Sequence, residues 1–184
     1  MGLKAKVLVG WWMASLLSVA GFAAANSDLR LVEAVEKGDQ AAVRSLLQQR
    51  ADVNAPQADG STALAWAAHR DDLETADLLI RAGANVNAPN DYGVTPLSLA
   101  CTNRNATLVE KLLKAGANPN AAMWTGETPL MTCARTGNVA AVKSLLAGKA
   151  DVSVKETRRG QTALMWAAGL TPCCWAKRTI CKRR

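Results

Sequence analysis

Residues 91–120 read DYGVTPLSLACTNRNATLVEKLLKAGANPN, and the segments on both sides repeat the same pattern. Residues 59–87 read DGSTALAWAAHRDDLETADLLIRAGANVN, and residues 126–153 read GETPLMTCARTGNVAAVKSLLAGKADVS. The three segments align at a constant offset of 33 residues, counted between the threonines that precede their first leucines. A fixed period of this length indicates an array of repeated structural units.

Each unit predicts two helices joined by a polar turn. A threonine followed by proline or alanine begins the first helix, because threonine is a good N-cap and proline is tolerated in the first turn. The second helix carries apolar residues at helical spacing, such as Val109, Leu112 and Leu113. Gly83 and Gly116 follow this helix, where a left-handed residue is favoured. Neither helix can bury its apolar stripe alone, so the units must stack.

Three short stretches carry a resemblance to a known family. Residues 93–97 (GVTPL), 115–118 (AGAN) and 126–130 (GETPL) resemble the ankyrin repeat, and the resemblance covers residues 28–169. It implies an all-α fold, an ankyrin-repeat solenoid of helix–turn–helix units with hairpin-like loops. We expect about four full repeats and a truncated fifth.

Several positions depart from the family pattern. Asp71 and Arg104 occupy a turn position that is usually glycine, and Arg50 and Lys149 replace the glycine that ends the second helix. One extra residue lies in the loop within residues 152–160. These departures affect the expected geometry of single loops and leave the expected fold unchanged.

Residues 1–25 have the pattern of a secretory signal peptide. Lys4 and Lys6 precede an apolar run over residues 7–20, and small residues follow up to the alanines at 23–25. The alternative is an uncleaved membrane anchor, but the run is short beside the ~20 apolar residues that a spanning helix needs. We therefore predict an exported, bacterial-type protein that is periplasmic or secreted, with no membrane attachment after leader removal.

The repeat pattern stops inside the fifth unit. We assign residues 26–170 to the repeat domain and residues 171–184 to a basic tail that contains three of the five cysteines. The tail is interpreted either as a disordered or divergent end or as the product of a reading-frame shift near Gly169. Leu164 and Trp166 then lie in a half-unit without a partner, through which the chain is expected to be able to self-associate.

The net charge of +7 does not indicate nucleic-acid binding. Residues 26–170 contain 15 lysines and arginines and 15 aspartates and glutamates, so the excess lies in the leader and the tail. A nucleic-acid-binding protein carries its basic residues on a structured face. We therefore expect no nucleic-acid partner.

The sequence contains no recognisable catalytic or metal-binding set. His69 is the only histidine, and a catalytic base needs a positioned partner and a substrate pocket. The chain has neither a phosphate-binding loop nor a GxGxxG motif, and the tail cysteines lack zinc-ligand spacing. We expect no enzymatic activity, no metal and no cofactor.

Cys101 and Cys133 lie in adjacent first helices, at positions that are not equivalent in the repeat. Export would permit a disulfide. Stacked helices lie ~8–10 Å apart, however, and the Cα atoms of a bridged pair lie within ~7 Å of each other. We therefore predict two unbridged cysteines that act as small buried apolar residues.

The family resemblance places recognition residues at the hairpin tips and at the end of each first helix. Tyr92 and Trp124 lie on adjacent tips and provide candidate aromatic anchors within a polar rim. For Trp124 two interpretations stay open, a contact residue or a ring folded back on Met123. The candidate partner-binding residues are Asp59, His69, Arg70, Asp91, Tyr92, Thr102, Asn103, Trp124, Thr125, Glu127, Arg135 and Thr136.

These features predict an exported, non-catalytic module that binds a protein or peptide through its concave face and hairpin tips. The alternative is a structural scaffold or stabilising subunit of an exported assembly. A small-ligand or enzyme site would depend on His69 and the groove alone, and it is the least favoured of the three.

Overall fold

The computed structural model describes residues 29–169, so the predictions for the leader and for residues 171–184 lie outside the described part of the chain. Within residues 29–169 every regular element is helical. The helices are α1 (Arg30–Lys37), α2 (Gln40–Gln48), α3 (Ala63–His69), α4 (Leu73–Arg81), α5 (Pro96–Thr102), α6 (Ala106–Lys114), α7 (Pro129–Thr136), α8 (Val139–Ala147) and α9 (Ala163–Ala167).

The helices form two parallel stacks. Consecutive helices pair as α1 with α2, α3 with α4, α5 with α6 and α7 with α8. The first helices of the units, α1, α3, α5, α7 and α9, pack on one another in chain order, and the second helices stack beside them. This arrangement confirms the prediction of an all-α repeat solenoid, with four helix pairs followed by the single helix α9.

Side-chain caps begin the helices where the sequence predicts them. The hydroxyls of Thr62, Thr95 and Thr128 accept hydrogen bonds from backbone N–H groups in the first turns of α3, α5 and α7. The second helices begin at a carboxylate or amide that plays the same role. These caps are Asp39, Asp72, Asn105 and Asn138.

Equivalent leucines show how each second helix closes the core. Leu64, Leu97 and Leu130 are at most 3% exposed, whereas Leu164 is 77% exposed. The helices that carry the first three leucines each pack against the second helix of their own unit, and α9 is the last helix within residues 29–169. A second helix of the fifth unit would lie outside the described residues, so the half-unit without a partner that holds Leu164 and Trp166 stays a prediction.

The prediction of two unbridged cysteines is wrong, because Cys101 and Cys133 form a disulfide between α5 and α7. Their Cα atoms are 4.8 Å apart. The spacing of helix axes overstates the separation of residues that face each other, because each Cα lies ~2.3 Å from its own axis, towards the other helix. Both cysteines are completely buried, as predicted.

The loops between each second helix and the following hairpin are joined to one another by asparagine side chains. Asn54, Asn87 and Asn120 each accept a hydrogen bond of 2.7 Å from a backbone N–H of the next unit. Their side-chain amides donate to backbone carbonyls of that same unit. The oxygen and the nitrogen of one amide thus both bond to the main chain of the next unit, which fixes the spacing of successive loops.

The residues that replace family glycines adopt the same left-handed conformation. Arg50, Asp71, Arg104 and Lys149 have φ between 58° and 65°. Gly137, at the turn position equivalent to Arg104, has φ of 70°. The turns therefore keep their geometry despite the substitutions.

The extra residue of the last loop is accommodated around a buried carboxylate. Glu156 is 5% exposed, and its oxygens accept from the backbone N–H groups of Arg158 (2.6 Å), Arg159 (2.6 Å) and Gln161 (3.2 Å). Burial alone would raise the pKa of Glu156, but these N–H donors outweigh burial and hold the pKa below its ordinary value of 4.5. The ionised carboxylate therefore organises the loop that precedes α9.

We predict that Glu156→Gln lowers the unfolding free energy by about 1–2 kcal/mol at pH 7, because the amide nitrogen cannot accept an N–H bond. A lowered folded pKa stabilises the fold above the unfolded pKa near 4.5, and this stabilisation is lost as the pH falls through the folded pKa. Urea unfolding over a pH series below 4.5 should therefore show the variant and the wild type converging. The exposed control Glu33→Gln should change little, and equal stability of Glu156→Gln and wild type at pH 7 would contradict the prediction.

None of the helices within residues 29–169 has the length and apolar character to cross a membrane.

Candidate functional site

Four hairpin tips form a continuous edge along the array. They comprise residues 57–61, 90–94, 123–127 and 156–161, and a backbone hydrogen bond closes each of them. Further backbone bonds join each tip to the next: Asp91 N–H to Asp59 O (2.9 Å), Trp124 N–H to Tyr92 O (3.2 Å) and Thr157 N–H to Thr125 O (2.9 Å). The tips therefore present their side chains from a fixed main-chain edge.

A glycine in each of the first three tips (Gly60, Gly93 and Gly126) permits this close approach. Gly93 has φ of 75°, and a β-carbon added to it would lie 3.0 Å from the Cα atom of Met123 and 3.1 Å from the backbone nitrogen of Trp124. Both neighbouring atoms belong to the main chain and cannot turn away. A side chain at Gly93 would therefore separate two adjacent tips.

Tyr92 and Trp124 are the exposed aromatic residues of this edge. The side chain of Trp124 is 75% exposed and that of Tyr92 is 58% exposed. Trp124 is therefore not folded back on Met123, and its role as a contact residue stays a prediction. Asp91 is exposed beside Tyr92, and Thr125 and Glu127 follow Trp124 on the next tip.

Arg135 is engaged with the last unit. Its guanidinium carbon lies 5.2 Å from the centre of the Trp166 ring, a cation–π contact between α7 and α9. Trp66 and Trp166, which the sequence assigns to packing, are both partly buried against the core. A partner at Arg135 would meet a guanidinium already held over an aromatic ring.

The other helix-end candidates bond mainly within the stack. Arg70 Nη1 donates to the carbonyl of Glu36 (2.9 Å), and Asn103 Nδ2 donates to the carbonyl of His69 (2.7 Å). Thr136 Oγ1 lies 3.3 Å from the carbonyl of Cys101 in the preceding unit. These side chains join the ends of adjacent first helices.

Thr102 bonds within its own helix, where its hydroxyl donates to the carbonyl of Ser98 at 3.0 Å. For Thr102, as for the three side chains that join adjacent helices, partner binding stays a prediction. Contact with a partner would have to compete with the bonds that these side chains already make.

A groove between the hairpins and the first helices contains a cavity of about 200 Å³, which we call the Trp66 cavity. Trp66 and His69 meet edge to face there, with ring centres 5.6 Å apart, and the Trp66 indole N–H donates to Gln57 Oε1 at 2.7 Å. The residues lining the cavity include Asp59, Ser61, Trp66, His69, Val94 and Leu99.

The structure brings Asp59 and His69 together in this cavity, and sequence reasoning had named both as candidates. Trp66, which also lines the cavity, was not among the candidates. The available signal was chemical, since Leu99 occupies the equivalent position with no polar atom, whereas Trp66 carries an indole N–H.

The backbone N–H of Ser61 and then its hydroxyl donate to the Asp59 carboxylate and hold its pKa below the ordinary value of 3.8. Asp59 is therefore ionised at neutral pH.

Within residues 29–169, no group of three or more histidine, cysteine, aspartate or glutamate side chains is placed to hold a metal ion.

Comparison with known proteins identifies the repeat. The family model for ankyrin repeats (three copies) matches residues 31–123 and residues 107–176. A comparison with curated proteins gave no match.

Proposed function

The chain belongs to the ankyrin repeat family, and from that premise we propose that it is an exported, non-catalytic module that binds one protein or peptide through its hairpin tips and the adjacent groove. Ankyrin repeats are generally protein–protein interaction modules. The exported role and the binding face proposed for this chain are supported by the features that follow.

Exposure of Tyr92 and Trp124 is the observation that carries the proposal. The two residues lie on adjacent tips whose main chains are bonded to each other, so a partner meets both rings in a fixed relation. Aromatic side chains are enriched among the residues that dominate binding energy at interfaces. Because the main chain is already ordered, little backbone freedom is lost on binding.

The disulfide between Cys101 and Cys133 supports the proposal of export. Structural disulfides form and persist in oxidising environments such as the periplasm and the extracellular space. The apolar run in residues 7–20, preceded by lysines, supports the same destination. Both features support the proposal that the protein acts in the periplasm or outside the cell.

A second candidate function is a stabilising subunit of an exported assembly, and the exposed apolar residues of α9 favour it. Leu164 is 77% exposed and Met165 is 42% exposed on α9. Exposed apolar residues in one place mark contact with another protein. In this role the partner would cover α9 and would not depend on the tips.

Replacing both tip aromatics tests the leading proposal. We predict that Tyr92→Ala combined with Trp124→Ala reduces capture of the partner from the exported fraction by about thirtyfold or more, since each anchor lost in a hot spot weakens binding strongly. Quantitative pull-down with the immobilised chain measures the loss, and circular dichroism should show an unchanged helical signal.

A matched double variant controls for the loss of exposed apolar surface. Val139 is 65% exposed and Val152 is 59% exposed, and both lie away from the tips, so Val139→Ala with Val152→Ala should leave capture unchanged. Undiminished capture by the Tyr92 and Trp124 double variant would refute binding through the tips. If Leu164→Ser then removed capture of the partner, the role of a stabilising subunit would replace the proposal of binding through the tips.

A further inference from the structure

The Trp66 cavity combines an aromatic wall with a negative charge. Trp66 and His69 form one wall, the aliphatic side chains of Val94 and Leu99 contribute apolar surface, and Asp59 lies among the residues lining the cavity. The indole orientation is fixed by the 2.7 Å bond from Trp66 Nε1 to Gln57 Oε1. The cavity is therefore a formed feature of the groove, with apolar and anionic parts side by side.

The Asp59 carboxylate retains acceptor capacity for a ligand. Its oxygens accept one bond each from Ser61, from the backbone N–H at 3.0 Å and from the hydroxyl at 2.8 Å. A carboxylate has about four lone-pair sites, so about half of its capacity stays unused by these bonds. Asp59 can thus accept about two further N–H groups.

No basic side chain compensates this charge in the described part of the chain. The ion pairs found within residues 29–169 involve Glu33, Glu74, Asp77 and Glu110, and none involves Asp59 or Asp91. A second carboxylate adds to the negative charge, because Asp91 Oδ1 lies 3.3 Å from the β-carbon position of Gly60, the neighbour of Asp59.

Arg70, which follows His69 in the chain, has its guanidinium bonded to the main-chain carbonyl of Glu36. It is therefore committed to the preceding unit, and the mouth of the cavity keeps its negative charge.

We propose that the Trp66 cavity receives an arginine side chain of the partner protein. This inference rests on the proposed function and names the chemistry by which the groove recognises its partner. A planar guanidinium can stack on an indole face and donate two parallel N–H bonds to one carboxylate. The methylene groups of the arginine can cover the apolar surface of Val94 and Leu99.

Other side chains fit the cavity less well. An acidic residue would face Asp59 and Asp91, and like charges at short range repel. An apolar residue would remove water from the Asp59 carboxylate without replacing its hydrogen bonds, which is unfavourable. Lysine matches the charge, but its ammonium group lacks the planar fork that suits both the ring and the carboxylate.

Titration with three small probes tests this inference on the intact, oxidised chain. The probes are N-acetyl-arginine methylamide, its neutral shape analogue N-acetyl-citrulline methylamide, and N-acetyl-lysine methylamide. We expect the arginine probe to shift the NMR signals of the Trp66 indole N–H and of His69, with a dissociation constant of about 1–10 mM. The citrulline probe should have a dissociation constant at least about fivefold larger than the arginine probe. The dissociation constant of the lysine probe should lie between the two.

Asp59→Asn should reduce the affinity for the arginine probe to that for citrulline. A matched control exists in Asp151, which accepts from the backbone N–H of Ser153 (2.8 Å) and from its hydroxyl (2.7 Å), as Asp59 does from Ser61. Asp151→Asn should leave arginine binding unchanged. Any one of three results would overturn the inference. These are equal affinities for the arginine and citrulline probes, unchanged arginine binding by Asp59→Asn, and NMR shifts confined to residues outside the cavity.

The outcome separates this inference from the proposed function. The double variant of Tyr92 and Trp124 should bind the arginine probe like the wild type, because both rings lie outside the set of residues lining the cavity. Loss of partner capture in that variant, together with no arginine binding in the wild type, would overturn the arginine inference alone. If the wild type binds the arginine probe and the double variant still captures the partner, only the proposal of binding through the tips would be overturned.

Discussion

Reducing the bond between Cys101 and Cys133 should lower the unfolding free energy by about 3–4 kcal/mol. This is the stabilisation expected when a bridge closes a loop of about this length and so lowers the entropy of the unfolded chain. The two cysteines are 32 residues apart in sequence, so the bridge restricts a long segment of the unfolded chain. It also joins α5 to α7 in the middle of the array, where each unit is held only by its neighbours. Urea unfolding with and without a thiol reductant measures the change.

The double variant Cys101→Ala, Cys133→Ala provides the control for this experiment. It keeps the three cysteines that lie beyond residue 170, so any stabilisation by those cysteines would still respond to the reductant. We expect its unfolding midpoint to be low and independent of reductant. An oxidised wild type that unfolds at the same urea concentration as the reduced protein would refute a stabilising bridge.

Gly93→Ala should be strongly destabilising for a small substitution at a tip. The left-handed conformation at φ of 75° disfavours a β-carbon by about 1–2 kcal/mol, and the new carbon would meet main-chain atoms of the next tip at 3.0–3.1 Å. Overpacking of this kind typically adds about 1–3 kcal/mol. We therefore expect a loss of about 2–5 kcal/mol, measured by thermal or urea unfolding.

Gly116→Ala separates the two contributions in this loss. Gly116 has φ of 92°, but nothing lies within 4 Å of the β-carbon position, so only the conformational penalty of about 1–2 kcal/mol applies there. The difference between the two variants reports the contact between tips. If Gly93→Ala and Gly116→Ala were equally stable, the close approach at Gly93 would not constrain the fold.

The architecture could be predicted from the sequence because a single period carries it. Threonine caps, the leucine that follows each of them and the asparagine-rich loops recur in phase, so local and long-range signals agree. The same reasoning predicted that Leu164 lacks a covering helix, because an array buries a residue only through a complete neighbouring unit.

The disulfide was missed for a geometric reason. The spacing of helix axes is a property of the whole stack, whereas a bridge depends on where two Cα atoms lie around those axes. Cys101 and Cys133 differ by one position in the repeat, and their Cα atoms nevertheless lie 4.8 Å apart. The sequence period does not contain that distance.

The candidate site was predictable at the tips and less so at the helix ends. The tips are held together by main-chain hydrogen bonds that any residue can make. The exposure of Tyr92 and Trp124 therefore follows from their position in the repeat. Asn103 and Thr136 are polar residues at an exposed-looking position, and they bond to carbonyls 34 or 35 residues earlier in the chain. Whether such a side chain faces a neighbour or the solvent depends on a cross-unit distance that no local pattern encodes.

The hydrogen bonds between successive tips use main-chain atoms. The bonds from Trp124 N–H to Tyr92 O and from Asp91 N–H to Asp59 O therefore place no chemical demand on the side chains of these residues. Apart from the glycine in each tip, the identity of an outward residue can change while the edge stays intact. Target preference and scaffold integrity are thus encoded at different positions of the same loop. Gene copies of this chain could acquire new specificities by point substitution, and a laboratory library randomised at the exposed positions 91, 92 and 124 should yield folded members throughout.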